Sequence, residues 1–128
     1  MILLDTCTLV WLTMKPSLLS APMAEALDAS GLEACVSGFA AFEIGLAVWK
    51  RRLILPLDPE AWYSTALVRR GLTELPVTGR IALWAASLPL IHRDPGDRIL
   101  VATAQIHGLT ILTPDKRVRE YPDTRTPW

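Results

Sequence analysis

The alternation of apolar and polar positions along the chain predicts short strands separated by helices. Apolar runs of strand length lie at residues 1–4, 33–37, 72–75 and 109–112. Between them, apolar residues recur at helical spacing over residues 8–14, 20–29, 39–51, 58–70, 78–88 and 94–107. Strands that alternate with helices are typical of an α/β fold with a mainly parallel sheet, which we expect to be covered on both faces. The 128 residues are consistent with one domain.

Capping residues sharpen the predicted helix boundaries. The expected N-caps are Ser20, Asp58, Thr78 and Asp94, and the glycines expected at the helix ends are Gly31, Gly71 and Gly108. A helical turn is predicted near Pro114. One helix carries an apolar stripe with the spacing of a buried face, which we interpret as core: Phe39, Phe42, Leu46 and Trp49.

Composition and charge narrow the class of protein. Hydrophobic residues make up 51% and charged residues 20%, which is typical of a globular domain. No apolar run reaches the roughly 18 residues of a membrane span, and no basic residue precedes the apolar N-terminus as in a signal peptide. We therefore expect a cytoplasmic protein without membrane association. Because 13 basic residues balance 13 acidic ones, any nucleic-acid binding must rely on local basic clusters.

Cysteine and histidine offer little for metal or disulfide chemistry in this sequence. Two cysteines, Cys7 and Cys35, do not make a disulfide framework, and both lie in apolar surroundings that favour buried thiols. The two histidines form no cluster with zinc-ligand spacing.

Four acids are predicted to converge on one edge of the sheet. Asp5 follows the first strand, and Glu43 lies early in the helix after the second strand. Asp97 lies in the first turn of the helix that Asp94 caps, and Asp115 follows the last strand. The carboxyl ends of parallel strands form the edge where ligands bind in open sheets, so we expect these four side chains to lie close together there.

Such a gathering of carboxylates requires compensation. Two like charges about 4 Å apart repel by roughly 4 kcal/mol near a protein surface, so protons or a cation must offset them. Oxygen ligands without histidine or cysteine favour Mg²⁺ or Mn²⁺, which can activate water and stabilise charge on a phosphodiester. Thr6, Ser37 and Thr113 are placed to orient ligands or bind metal-bound water, although capping of a strand end explains Ser37 equally well.

Four segments together resemble the PIN-domain ribonucleases and, more narrowly, the VapC toxins of bacterial type II toxin–antitoxin pairs. The resemblance spans nearly the whole chain in order and spacing. The segments are DTCTLVWL (5–12), FEIGLAVWKRRLIL (42–55), LPLIHRDPGDRILVATA (88–104) and LTILTPDKRV (109–118).

The resemblance implies a three-layer α/β/α sandwich, metal-dependent RNA cleavage, a homodimer, and inhibition by a cognate VapB-like antitoxin. It assigns Asp5, Glu43 and Asp97 to the acidic metal-binding triad and Asp115 to the fourth, more variable acid. Thr6 and Thr113 match neighbouring hydroxyl positions. The candidates for positioning the RNA backbone are Arg98, which matches a basic residue after the third acid, together with Arg93 and Lys116.

Two positions depart from the family pattern. Many relatives carry Ser or Thr three residues before the glutamate, where this chain has Ala40, so a hydrogen bond near the site is missing. The position two after Asp5 is often polar, and Cys7 stands there, which removes one expected contact with substrate. Neither change removes an acid, and we expect activity.

Two other functions compete with the nuclease interpretation. A phosphoryl-transfer enzyme of the haloacid dehalogenase type would need a second Asp where Cys7 stands. A receiver domain would need an acidic pair next to the phosphorylated Asp and a Lys after a late strand, and the sequence shows neither clearly. The alternative that we retain is a non-catalytic PIN-like module that binds RNA or protein. Metal binding separates it from a nuclease.

Overall fold

The computed structural model describes residues 1–29, 33–122 and 124–126. Four strands form one sheet in the order β3-β2-β1-β4, and every neighbouring pair is parallel. The strands are β1 (Ile2–Leu4), β2 (Ala34–Ser37), β3 (Thr73–Leu75) and β4 (Thr110–Leu112). The helices are α1 (Thr6–Met14), α2 (Ala21–Ala29), α3 (Gly38–Trp49), α4 (Pro59–Arg70), α5 (Gly79–Ser87) and α6 (Pro95–His107). The predicted α/β fold with a parallel sheet is confirmed.

The sheet lies between two layers of helices, because its strands are apolar on both faces. On one face, Leu3 and Ile111 belong to a core with residues of α5 and α6. On the other face, Leu4 and Leu112 belong to a core with residues of α1, α2, α3 and α4. Side chains of adjacent strand residues point to opposite faces, so each three-residue strand contributes to both cores. The predicted three-layer sandwich is therefore confirmed.

Caps place most helix ends where the sequence predicts them. Side chains of Asp58, Thr78 and Asp94 accept hydrogen bonds from first-turn amides, and the Met23 amide donates to Ser20 Oγ at 3.4 Å. Gly71 and Gly108 end α4 and α6 with φ of 62° and 66°, a conformation that favours glycine. The predicted role of Gly31 lies outside the described residues. The predicted turn near Pro114 becomes a 3₁₀ turn over Val118–Glu120.

Two expectations about local structure are wrong. Helix α1 begins at Thr6 rather than at residue 8, because Asp5 caps it. The stripe on α3 is not core: Phe42 is 59% exposed and Trp49 is 80% exposed. Helix α3 buries Ala40 and Ile44 instead. Because the segment FAAFEIGLAVW is apolar almost all round, its periodicity does not determine which face packs against the sheet.

No helix within the described residues is long and apolar enough to cross a membrane.

Candidate metal centre

A cavity of about 360 Å³ opens beyond the carboxyl ends of β1 and β4. Strand β1 is the point where the sheet order reverses, since β2 and β3 lie on one side of it and β4 on the other. Crevices at such switch points are where open parallel sheets bind ligands. The lining of this cavity includes Asp5, Glu43, Asp94, Asp97 and Asp115. The structure thus brings the four predicted acids to one place.

Asp5 combines a capping role with a position in the cavity. Its Oδ1 accepts a hydrogen bond from the Thr8 amide at 2.7 Å, which caps α1. Its Oδ2 accepts a hydrogen bond from Thr113 Oγ1. Burial raises the pKa of Asp5, the bonds from Thr113 and Thr8 lower it, and the charge of Asp115 raises it, with a net rise. Neighbouring segments thus orient both oxygens of Asp5.

Glu43 reaches the cavity from the second turn of α3. The Thr6 hydroxyl donates to Glu43 Oε1 at 2.7 Å. Burial raises the pKa of Glu43, the Thr6 hydrogen bond opposes this, and the charges of Asp94 and Asp5 add to the rise. Gly96 makes room for this carboxylate, because a Cβ atom at residue 96 would lie 2.6 Å from Glu43 Oε2.

Thr113 connects two of the acids. Its hydroxyl donates to Asp5 and accepts a hydrogen bond from the Asp115 amide at 3.1 Å. Asp115 Oδ1 in turn accepts the Arg117 amide at 2.9 Å and lies 3.5 Å from Arg117 Nε. The threonine therefore orients the acid after β1 and the turn after β4 together. Ser37, by contrast, caps α3 by accepting the Phe39 amide at 3.1 Å.

A compact cluster beside the cavity joins two of its acids, Asp97 and Asp115, to a histidine that is not part of the lining. Three residues that could each offer one atom to a metal ion, His92, Asp97 and Asp115, have those atoms within 4.8 Å of one another. A search of the described residues for such groups finds this one. His92 Nε2 is 3.2 Å from Asp97 Oδ2 and 3.9 Å from Asp115 Oδ2. The imidazole is only 9% exposed, and its Nε2 has no hydrogen-bond partner among the described residues.

The backbone selects the tautomer of His92. The Asp94 amide donates to His92 Nδ1 at 3.0 Å, so Nδ1 presents a lone pair. A neutral imidazole carries one proton, which must then be on Nε2. Nε2 therefore faces the two carboxylates as a proton donor, and no lone pair remains there for a metal. The cluster is better described as two carboxylates beside a donor than as three metal ligands.

The pKa of Asp97 is raised well above its ordinary value. Burial raises its pKa to about 7, and the charges of Asp94, Asp115, Glu43 and Asp5 add to this rise. An acid that holds its proton near neutral pH lacks an adequate counter-charge. Asp97 lies in the first turn of α6, where backbone dipoles favour a negative charge, and this is not enough to offset the neighbours.

A hard divalent cation fits this donor set. The four carboxylates provide oxygen ligands of the kind that Mg²⁺ and Mn²⁺ bind. Burial first, and then the charges of neighbouring acids, raise the pKa values of Asp5, Glu43 and Asp97, and a bound cation would oppose both effects. Asp5 and Glu43 line the same cavity as Asp97 and Asp115. Among the described residues, neither Asp5 nor Glu43 belongs to a group of three possible ligands as compact as His92, Asp97 and Asp115.

Comparison with known proteins assigns the family. A profile of the PIN domain matches residues 2–123. The chain belongs to the PIN domain family. Ribonuclease VapC22 of Mycobacterium tuberculosis (strain ATCC 25618 / H37Rv) is 28% identical over 125 residues, covering 97% of this chain and 94% of the relative.

Solved structures share the fold of this PIN domain. A chain of a toxin–antitoxin complex from Klebsiella pneumoniae superposes with a TM-score of 0.68 at 22% identity, covering 100% of this chain and 98% of the other. A chain of VapBC2 from Rickettsia felis, in a crystal structure with a DNA fragment from the promoter, superposes with a TM-score of 0.70 at 15% identity. The match covers 98% of this chain and 97% of the other. At these identities the likeness concerns the fold.

The basic residues predicted to contact RNA occupy different positions in the PIN domain. Arg98 is half-buried and bonds to the backbone of its own chain: its guanidinium donates to the carbonyls of Ala86, Leu88, Pro89 and His92. Arg93 and Lys116 are exposed and are not among the described residues that line the cavity. Arg117 does line it, beside Asp115.

The sequence analysis did not predict three features of the site: the approach of His92, the role of Gly96 and the exposure of Cys7. His92 and Gly96 both lie in the stretch HRDPGDR, and their closeness in sequence to Asp94 and Asp97 was the available signal. The expectation of a buried Cys7 is wrong: this residue is exposed at the cavity, whereas Cys35 is buried. Cys7 follows Asp5 into the first turn of α1, which turns its side chain away from the core. The thiol is still partly shielded from water within the cavity, and this desolvation together with the charge of Asp5 raises the pKa of Cys7 to about 11.

Proposed function

We propose that this PIN domain is a metal-dependent endoribonuclease and the toxin of a type II toxin–antitoxin pair. The observation that carries the proposal is the convergence of Asp5, Glu43, Asp97 and Asp115 on one cavity at the switch point of the sheet. Three of these acids have raised pKa values, which a bound cation would offset. The relation to Ribonuclease VapC22 supports RNA as the substrate.

The four acids would hold Mg²⁺ or Mn²⁺, which supplies an activated water and stabilises charge on the scissile phosphate. The chain contributes orientation. Thr113 holds Asp5 and the turn of Asp115, and Thr6 holds Glu43. His92 keeps a proton on Nε2 beside Asp97, which directs a donor toward the centre of negative charge. Arg117 and the N-terminus of α6 bring positive potential to the same edge.

The partners of this toxin follow from the same relatives. The similar solved chains come from toxin–antitoxin and VapBC complexes, which supports a VapB-like antitoxin as the partner that inhibits this chain. A homodimer and a cytoplasmic location belong to the same proposal.

RNA cleavage with matched variants tests the proposal. Purified protein is incubated with end-labelled structured RNAs in Mg²⁺ or in EDTA. We expect cleavage in Mg²⁺ alone, and a loss of about 100-fold or more in Asp97→Asn, because an amide replaces a charged ligand. Glu60→Gln is the control, because Glu60 is also an acid in the first turn of a helix, α4, outside the cavity. It should cleave as the wild type does.

Cleavage by Asp97→Asn at the wild-type rate would refute the assignment of the site. Absence of cleavage under every condition would count against a nuclease. Calorimetric titration with Mn²⁺ would then measure metal binding, and a chain that binds no metal would be a non-catalytic module.

A further inference from the structure

Arg117 is the base among the described residues that line the acid cavity, and it stands there with five acids. The acids are Asp5, Glu43, Asp94, Asp97 and Asp115. A divalent cation offsets two of these negative charges, and an RNA phosphate brings one more. Because like charges about 4 Å apart repel by roughly 4 kcal/mol near a protein surface, a phosphate in this cavity requires a further positive group. Arg117 is placed to provide it.

The turn after β4 holds the backbone of Arg117 at the edge of the cavity. The Arg117 amide donates to Asp115 Oδ1 at 2.9 Å, and the Asp115 amide donates to Thr113 Oγ1 at 3.1 Å. The next residue, Val118, is fully buried in the core that the sheet forms with α5 and α6. Because the turn is anchored on both sides of Arg117, the side chain extends from a fixed point.

The guanidinium of Arg117 has donors that the protein itself does not use. Its Nε lies 3.5 Å from Asp115 Oδ1, within the range of an ion pair but beyond an ordinary hydrogen bond, and the side chain is 62% exposed. The guanidinium donates no hydrogen bond to another described residue, whereas that of Arg98 donates to four backbone carbonyls. Asp115 therefore keeps the positive charge at the cavity and leaves its donors free for a ligand.

We propose that the Arg117 guanidinium binds the scissile phosphate and stabilises the charge that develops on it during cleavage. A guanidinium stays charged at physiological pH, and its paired N–H donors match two phosphate oxygens. Its action is electrostatic, because it neither gives nor takes a proton. This proposal rests on the proposed ribonuclease function and makes Arg117 a catalytic residue of it.

The hydrolysis itself explains why a fixed positive charge is useful here. A water oxygen forms a bond to phosphorus, the bond from phosphorus to one ribose oxygen breaks, and its electron pair leaves with the ribose oxygen. The water loses one proton and the leaving oxygen gains one, so the products are a phosphate monoester and a hydroxyl end. Negative charge on the phosphoryl and leaving oxygens rises before that proton is gained. A guanidinium beside these oxygens therefore binds the transition state more tightly than the substrate.

Matched arginine variants test this role in Mg²⁺. The probe is an end-labelled RNA that the wild type cleaves, and kcat and KM are measured for each variant. We expect Arg117→Gln to lower kcat by about 100-fold or more. Arg117→Lys keeps the charge without the paired donors and should lower kcat less. Arg119→Gln is the control, because Arg119 is also exposed in the same turn but lies outside the cavity lining, and it should cleave as the wild type does.

Metal affinity separates a contact with the phosphate from mere support of Asp115. In calorimetric titration without RNA, the Mn²⁺ Kd of Arg117→Gln should equal or fall below that of the wild type, because a positive charge beside the acids is lost. Asp115→Asn should raise this Kd. If Arg117→Gln raised the Mn²⁺ Kd as far as Asp115→Asn does, Arg117 would act only by holding Asp115, and the proposal would be overturned.

Two kinetic results would also overturn the proposal. Wild-type kcat and KM in Arg117→Gln would show that the guanidinium does not contact the reacting phosphate. A raised KM with unchanged kcat would show that it binds substrate and transition state equally. Both results concern a wild-type chain that cleaves RNA in Mg²⁺, whereas a wild-type chain without cleavage refutes the proposed function itself.

Discussion

At the scale of single residues, Gly96 determines how closely α6 approaches the acids. A Cβ atom there would lie 2.6 Å from Glu43 Oε2 and 3.2 Å from the ring of Phe39. The carboxylate is the mobile end of a flexible side chain, so it can move aside at small cost to folding. Movement would strain its hydrogen bond from Thr6.

We therefore predict that Gly96→Ala weakens Mn²⁺ binding by about 10- to 100-fold while the protein stays folded. Calorimetric titration measures the affinity, and thermal unfolding measures the fold. Gly79→Ala is a matched control, because Gly79 also lies in the first turn of a helix and no atom lies within 4 Å of its added Cβ. Equal Mn²⁺ affinity in the two variants would contradict this account.

His92 permits a direct observation of a proton. Because the Asp94 amide donates to Nδ1, we predict that ¹⁵N NMR of the imidazole shows the tautomer protonated at Nε2. The same tautomer should persist when Mg²⁺ is added, since a protonated Nε2 offers no lone pair to the ion. A proton on Nδ1, or a Mg²⁺-dependent change typical of coordination at Nε2, would make His92 a metal ligand instead.

At the scale of elements, the turn between α5 and α6 is organised by Arg98. This side chain donates to four backbone carbonyls, and Tyr121 adds a contact when its hydroxyl accepts the His92 amide at 3.0 Å. We predict that Arg98→Ala lowers the free energy of unfolding by about 1.5–3 kcal/mol, because four carbonyls, two of them half-buried, lose a charged donor. Arg93→Ala, exposed in the same turn, should have little effect.

Urea unfolding measures both arginine variants. If Arg98 acted only on RNA, its replacement would change RNA affinity and leave the unfolding midpoint unaltered, and that result would exclude the structural role.

The same elements show what the sequence could predict. The positions of the strands and the helix caps follow from apolar runs and turn residues. Parallel strands then place Asp5 and Asp115 at the same edge of the sheet, because each acid follows the carboxyl end of its strand. The exposed face of α3 was not predictable in this way, because nearly every position of FAAFEIGLAVW is apolar. The approach of His92 to Asp97 depends on how Arg98 folds the preceding turn, and no local pattern encodes that contact.

At the scale of the whole molecule, the clustered acids make stability depend on pH. Burial and neighbouring charges raise the pKa of Asp97 to about 7, from 3.8 for an ordinary Asp, and the pKa values of Asp5 and Glu43 are raised as well. Between about pH 4 and pH 7 the folded chain therefore holds a proton on Asp97 that the unfolded chain has released. The stability that the folded chain gains by holding this proton is fully present below pH 4 and is lost as the pH rises through 7.

We predict that, in EDTA, the wild type loses about 1–3 kcal/mol of stability relative to Asp97→Asn between pH 5 and pH 8, because the amide of the variant never ionises. Urea unfolding at the two pH values measures this difference, with Glu60→Gln as the control that should follow the wild type. Mg²⁺ should stabilise the wild type more at pH 8 than at pH 5, since the cation competes with the proton for the same carboxylate. If the difference in free energy of unfolding between the wild type and Asp97→Asn does not change between pH 5 and pH 8, Asp97 is already ionised in the folded protein at both pH values. The charge imbalance that calls for a cation would then have to arise at Asp5 and Glu43 alone.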